Sequence, residues 1–303
     1  MQLVEESMLK ALNNFVYTAS TVKIPHLYLF NVQTNTQVIE DIPGVVDLKT
    51  TFVSPTANVI FCRSYATSIG HDLGSWLRSF HSWTLAPSQA ELRAEIGDNG
   101  HMRKLKYLIT YDSFIKVLEQ FPDILGNHRK TLEDVKDCAT KEFKIPASEN
   151  QGEEWGYIHG DFWTGNVLHP EIYQPEAETG LFIVDWEFAQ FGHKAYDIGQ
   201  MIGDLYERKH FLGVDGALWA IDSFIEGYGP LGEEMAFRVA IHTGVQLITW
   251  VTRGPPLHMR QAWATRERVV SLLNIGLIFI LKGWGKDKEW FKSSVLAGLF
   301  RGN

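Results

Sequence analysis

The stretch His159-Gly160-Asp161-Phe162-Trp163-Thr164-Gly165-Asn166-Val167-Leu168 decides how this chain is read. It sets an Asp and an Asn five residues apart, directly after a His. A second acidic group, Ile183-Val184-Asp185-Trp186-Glu187, follows about twenty residues later at the end of an apolar, strand-like run. His-Gly-Asp alone is a common tripeptide. The combination with Asn166, Asp185 and the later Tyr196-Asp197-Ile198-Gly199 is far more specific.

The order has a mechanical reading in phosphoryl transfer. Protein kinases use a loop of the form H-R-D-x-x-x-x-N, whose Asp receives the substrate hydroxyl proton and whose Asn holds Mg²⁺, with a downstream Asp on the nucleotide-bound metals. Here Gly160 stands where the Arg stands, and Asp185-Trp186-Glu187 stands where D-F-G would be. On these residues the chain resembles the aminoglycoside phosphotransferase and choline kinase-like family of small-molecule kinases. Its H-G-D-x-x-x-x-N loop is matched by Asp161 and Asn166. Leu181–Phe188 resembles the family's metal motif, and Gly192–Gly199 its next block, which ends in a structural Asp. The likeness is strong over roughly residues 155–210, and weaker back to about residue 37 and forward to the C-terminus.

The resemblance implies an α+β, protein-kinase-like two-lobed fold, with ATP and Mg²⁺ as cofactors and the hydroxyl of a small molecule as acceptor. Asp161 would orient that hydroxyl. Asn166 and Asp185 would hold Mg²⁺ through hard oxygen ligands, as the ion prefers. Glu187 either joins or orients the metal shell, or serves a surface or salt-bridge role. His159 would brace the loop, and Asp197 would anchor the loop backbone from the next helix. Glu40-Asp41-Ile42 before Pro43-Gly44 resembles the hinge where adenine meets backbone groups. The acceptor would sit between the loop and the C-terminal helices, where Asp204, Glu207, His242, Trp250 and Arg253 fall. Acidic groups there suit an amine, and aromatic rings suit a quaternary ammonium. Glu187–Gly192 also resembles methylthioribose kinase, too briefly to name a substrate.

The small lobe departs from the family pattern. No Gly-rich loop precedes residue 44, and no strand before the first helix offers a Lys for the ATP phosphates. The expectation is a truncated N-terminal β lobe, residues 1–45 with the hinge, in which Glu5 or Glu6 takes the place of the Glu that fixes that Lys. A mostly helical catalytic lobe then spans 46–303. Such a lobe would leave apolar edge surface open to self-association. The alternative to an enzyme is a non-catalytic, kinase-like binding protein.

Composition agrees with a folded, cytoplasmic protein. The 303 residues are 45% hydrophobic and 13% aromatic, including ten Trp, enough for a large core. A net charge of −8 argues against nucleic-acid or anionic-membrane partners. Two cysteines far apart, Cys62 and Cys138, make neither a disulfide framework nor a Cys-based zinc site. The start is neither basic nor apolar, so no signal peptide is read, and Val269–Leu281 is too short to span a bilayer. Apolar spacing predicts a helix over 3–17, strands over 26–32 and 36–42, and a helix over 68–81. Two helical stretches separated around Pro122 are expected over 104–143, a loop over 144–155, and mostly helix from 195 onward, broken at 227–232 and at 254–256.

Overall fold

The protein, seen in a computed structural model, is described for residues 2–15, 21–147, 152–171, 180–250 and 264–301. The first part of the chain runs α1 (Gln2–Leu12), β1 (Val22–Lys23), β2 (Leu27–Asn31), β3 (Thr36–Ile39), β4 (Val45–Asp47), α2 (Leu48–Val53), α3 (Ala57–Ile60) and α4 (Arg63–Trp83). Helices α5 (Ala90–Ile96), α6 (Gly100–Ile109), α7 (Phe114–Leu118), α8 (Pro122–Leu125) and α9 (Arg129–Glu142) follow. The region around His159–Asn166 holds β5 (Trp155–Ile158), β6 (Val167–Pro170), β7 (Leu181–Ile183) and β8 (Gln190–His193). Helices α10 (Ala195–Leu212), α11 (Gly216–Tyr228), α12 (Glu233–Trp250), α13 (Arg266–Trp284) and α14 (Lys288–Phe291) complete it. None of the helices among the described residues is long and apolar enough to cross a membrane.

The sheets are small. One has the order β1-β7-β6-β4, with β1 parallel to β7 and the other pairs antiparallel. The β2–β3 hairpin and the β5–β8 pair stand apart from it. Strand β1 is absent from the sequence reading because two residues show no alternation; its place is set by pairing with Leu181 and Phe182. The stretch 104–143 holds four helices rather than two, with a start at Gly100. Pro122 opens α8 at its first turn, where a missing N–H costs nothing, so it starts a helix as well as ending the turn before it.

Helix packing supplies the core. Along α4 the buried residues Tyr65, Ile69, Leu73, Trp76, Leu77 and Phe80 recur at steps of three and four, one continuous face. That face lies on α11 at backbone contact: a Cβ at Gly74 would stand 2.1 Å from the carbonyl oxygen of Phe224. Helix α13 buries Val269, Leu272, Leu273, Leu277 and Ile280 and packs on α12. Its burial explains why the most apolar segment of the chain is core.

The close α4–α11 crossing generates a prediction. Gly74→Ala should lower the stability by about 3 kcal/mol, since a backbone carbonyl cannot yield as a side chain does. Gly100→Ala, with nothing within 4 Å of the added methyl, should change it by less than about 0.5 kcal/mol. Urea unfolding of both variants checks this, and equal midpoints would contradict the packing.

Candidate active site

Strand β5 is buried along its whole length and delivers the chain to His159. The turn is pinned from α10. The fully buried Asp197 carboxylate accepts the backbone N–H of His159 at 2.8 Å and of Gly160 at 2.9 Å, and the His81 Nε2–H at 3.0 Å. Burial alone would raise the Asp197 pKa, but the His81 hydrogen bond, its neighbours' charge and the Gly160 N–H hold it below the ordinary value. Burial is the largest influence on His81 and lowers its pKa, against the pull of Asp197, and its Nδ1 meets the Tyr228 hydroxyl at 2.9 Å. Gly160 has φ +83°, and a Cβ there would lie 2.2 Å from the Phe188 carbonyl oxygen. A side chain at this position has neither the backbone conformation nor the space it needs.

His159 is itself a brace. Its Nε2–H donates to the Val184 carbonyl at 3.0 Å, and its Nδ1 accepts the Asp161 N–H at 3.3 Å, which fixes the neutral tautomer. Burial lowers its pKa, in keeping with that assignment. The ring therefore ties the Asp161 loop to the residue before Asp185. Trp186 is fully buried 4.5 Å from it, and Phe162 is also core.

The half-buried Asp161 carboxylate is held on three sides. Gln200 Nε2 donates to it at 2.6 Å, Asn166 Nδ2 at 3.1 Å and Trp163 Nε1 at 3.2 Å. Gln200 in turn accepts from the buried Lys106 ammonium of α6. Neither Gln200 nor Lys106 stands out in the sequence. A signal was there to find: Asp197, Gln200, Asp204 and Glu207 recur at steps of three, four and three, one face of α10. That face lies along the loop, with Asp197 on His159 and Gly160, Gln200 on Asp161, and Asp204 accepting from the N–H and hydroxyl of Thr164. Asp204 is also paired with Arg208.

Asn166 and Asp185 are brought together by strand register. Val167 pairs with Ile183, and the Val184 N–H donates to the Asn166 carbonyl at 3.1 Å. Asp185 follows with φ +69°, a left-handed conformation that costs a non-Gly residue about 1 kcal/mol or more. Its pKa is raised to about 6, first by desolvation of the carboxylate, although the residue as a whole is exposed, then by the charges of Asp161, Glu187 and Glu5, and the Asn166 amide offsets this only in part. Of the two acids on α1, Glu5 thus faces the site and also accepts from Gln37 at 3.0 Å, whereas Glu6 pairs with Lys10. Glu187 is half-buried, and its carbonyl accepts from Asn99 at 3.1 Å. Among the described residues no three His, Cys, Asp or Glu side chains gather as a metal cage.

The remaining site candidates fall in two places. Asp204, Glu207 and Trp250 line a pocket beside Asp161 together with Trp163, Gln200 and Gln246. His242 stands one turn from it and meets Gln246 at 3.2 Å. Arg253 and the break at 254–256 lie outside the described residues. At the hinge, Glu40 is tied to His26 by its backbone N–H at 2.8 Å and by its carboxylate at 3.0 Å. The β2–β3 pairing ends at Ile39, so Asp41 and Ile42 lie beyond it.

The Asp185 environment sets a pH dependence. A carboxylate whose folded pKa is raised opposes folding when ionised, so the cost is absent below about pH 4, grows toward pH 6 and is complete above it. In Mg²⁺-free buffer, Asp185→Asn should therefore gain about 1 kcal/mol of stability between pH 4 and pH 7, a figure reduced for the solvent exposure of the residue. Any relief of the left-handed backbone by Asn is independent of pH. Thermal unfolding of both proteins across that range measures the difference, and parallel pH curves would refute the assignment.

Comparison with known proteins bears on this geometry. The chain is 30% identical over 285 residues to the phosphotransferase FrzJ of Cladobotryum sp, covering 92% of this chain and 70% of that one. It is 20% identical over 123 residues to the 4-hydroxytryptamine kinase of Psilocybe cubensis, 40% of this chain and 32% of the other. Among solved structures, Plasmodium vivax ethanolamine kinase superposes with a TM-score of 0.44 at 15% identity, over 94% of this chain and 70% of that one. The model of the phosphotransferase enzyme family matches residues 64–236, from α4 through the His159–Asn166 loop and α10 into α12. The chain belongs to that phosphotransferase family, and its α+β fold is of the protein-kinase-like kind.

Proposed function

We propose that the protein transfers the γ-phosphoryl group of ATP to a hydroxyl of a small molecule that also carries an amine. The observation that carries this reading is the Asp161 carboxylate, held by Gln200, Asn166 and Trp163 at the edge of a pocket walled by two acids and two tryptophans. In this reading Asp161 accepts a hydrogen bond from the attacking hydroxyl and aligns it. A loose phosphoryl-transfer transition state asks for alignment more than early deprotonation. Gln200, fixed by Lys106, keeps the carboxylate turned toward the pocket. Glu207, with Asp204 already paired to Arg208, gives an acidic wall opposite the acceptor's ammonium, while Trp163 and Trp250, edge to face at 5.0 Å, offer ring surface to its carbon skeleton. The space among them is about 10 Å³, room for one water, so these side chains part when the acceptor enters. The relative from Psilocybe cubensis is named for a hydroxylated aromatic amine, in keeping with this pocket.

The donor side of the site fits a magnesium ion. Asn166 and Asp185 supply two hard oxygen ligands, the small number that Mg²⁺ takes from protein when phosphates and waters fill the rest. The crowding of Asp185 by Asp161, Glu187 and Glu5 is what a divalent cation would relieve. When bound, the ion would neutralise charge on the phosphates. Glu187 would orient this shell through Asp185. Backbone groups of Asp41 and Ile42, and of Glu40 where the hairpin leaves them open, would meet the adenine. Within this proposal residues 1–45 act as the small lobe and 46–303 as the catalytic lobe. A non-catalytic binding protein is not favoured, since a site without chemistry has no need of Asp161 held on three sides.

Radiolabelled ATP offered with a panel of amino alcohols and hydroxylated arylethylamines tests the reading. Asp161→Asn should lower kcat about a thousandfold while thermal unfolding stays near wild type. Asp185→Ala should weaken Mg²⁺–ATP binding far more than metal-free ATP binding. Undiminished turnover in Asp161→Asn would remove that residue from the mechanism.

We also propose self-association through the β2–β3 hairpin. Its outer face leaves Tyr28 64%, Leu29 58% and Val38 46% exposed, an apolar edge of the kind that pairs with another chain. Light scattering at tens of micromolar should report oligomers that Leu29→Lys/Val38→Lys converts to monomer. A wild-type monomer would end this idea.

A further inference from the structure

A cleft of about 350 Å³ opens between α6 and α9 and shares no residue with the acceptor pocket. Three cations, Arg103, Lys104 and Lys144, line it against one carboxylate, Asp98. This is a local excess of positive charge in a chain of net charge −8. Its volume lies in the range of small-molecule sites.

The cations are poorly compensated. Arg103 is 5% exposed, and its Nη2 donates to the Ile145 carbonyl at 2.8 Å and the Glu142 carbonyl at 3.3 Å. Its Nε has no partner, and Asp98 stays 3.7 Å from its Nη1 while accepting the Ala147 N–H at 2.5 Å. A buried guanidinium held by neutral carbonyls and a distant carboxylate is a costly arrangement that an added anion improves. Lys104 and Lys144 are exposed and enter no ion pair among the described residues. Helix α6 starts at Gly100 without a side-chain cap: Asn99 is left-handed, at φ +42°, and its Nδ2 donates to the carbonyls of Glu187 and Ala189. The positive end of the α6 dipole adds to the field there. The rest of the wall is apolar and fixed: Tyr107 meets Phe143 edge to face at 5.6 Å, and its hydroxyl is tied to Thr140 at 2.7 Å.

We propose that this cleft is a second ligand site, separate from the phosphotransfer centre, that binds a phosphate monoester dianion carried on an aromatic body. Two net positive charges match a dianion better than a carboxylate, and the Tyr107–Phe143 wall matches a ring. The site shares α6 with Lys106, whose ammonium holds Gln200 on Asp161. A ligand in the cleft and the catalytic carboxylate therefore bear on one helix.

Calorimetric titration of the full chain with phenyl phosphate, in Mg²⁺-free buffer of low ionic strength, tests this without reference to turnover. The expected result is binding that weakens with salt, exceeds that of inorganic phosphate, and is unchanged in Asp161→Asn. The variant Lys104→Ala/Lys144→Ala, altered only at exposed positions, should fold normally and bind about tenfold or more weakly. Absence of binding at millimolar phenyl phosphate, equal affinity in the double variant, or an affinity moved by Asp161→Asn would each overturn the proposal.

Discussion

One buried carboxylate organises the centre of this molecule. Asp197 accepts two backbone N–H groups from the loop at His159 and Gly160 and a third hydrogen bond from His81. An ionised group this deep survives only because each of these donors is aimed at it. The constraint runs both ways. The loop can turn sharply because α10 offers the carboxylate, and α10 can bury the carboxylate because the loop and α4 supply the donors. Gly160 meets the same constraint from the other side, since a side chain there would strike the Phe188 carbonyl.

From that anchor the polar groups follow by geometry. The 3.6-residue repeat of α10 sets Gln200 one turn past Asp197 and Asp204 a further turn on, so one rigid face fixes the loop at three points. The β6–β7 register then sets Asn166 beside Asp185. Sites held by such elements keep their side chains within narrow limits, the condition for chemistry that depends on positioning. Their cost is visible locally: Asp185 sits in a left-handed conformation, crowded by like charges. The α4–α11 packing and the large aromatic core around Trp76, Phe80 and Trp186 stabilise the frame that holds it there.

The two sides of the site differ in what makes them. The part around Asn166 and Asp185 comes from short loops and one strand pair. The pocket beside Asp161 is assembled from Trp163 on the loop, three residues of α10 and two of α12, whose relation is set by helix packing. A phosphotransferase family can hold the first constant and vary the second, because helix faces change by single side chains without disturbing the loop.

Read alone, the sequence determined the local pattern: the spacing of Asp161 and Asn166, the apolar strand just before Asp185, the family and most of the helices. These are legible because each lies within one short segment, where periodicity and motif spacing are governed by nearby backbone geometry. The position of Asp197 beside the loop was also within reach, through the family likeness of its block. The tertiary structure decided the rest. Gln200 lies 39 residues from Asp161 along the chain and Lys106 55, and Gln200 reaches Asp161 while Lys106 reaches Gln200 only because α10 and α6 converge there. Strand β1 exists because β7 pairs with it, and the proximity of Glu5 to Asp185 depends on where α1 docks. Contacts of this kind arise from packing among elements distant in sequence, and no local pattern of residues encodes which of them will touch.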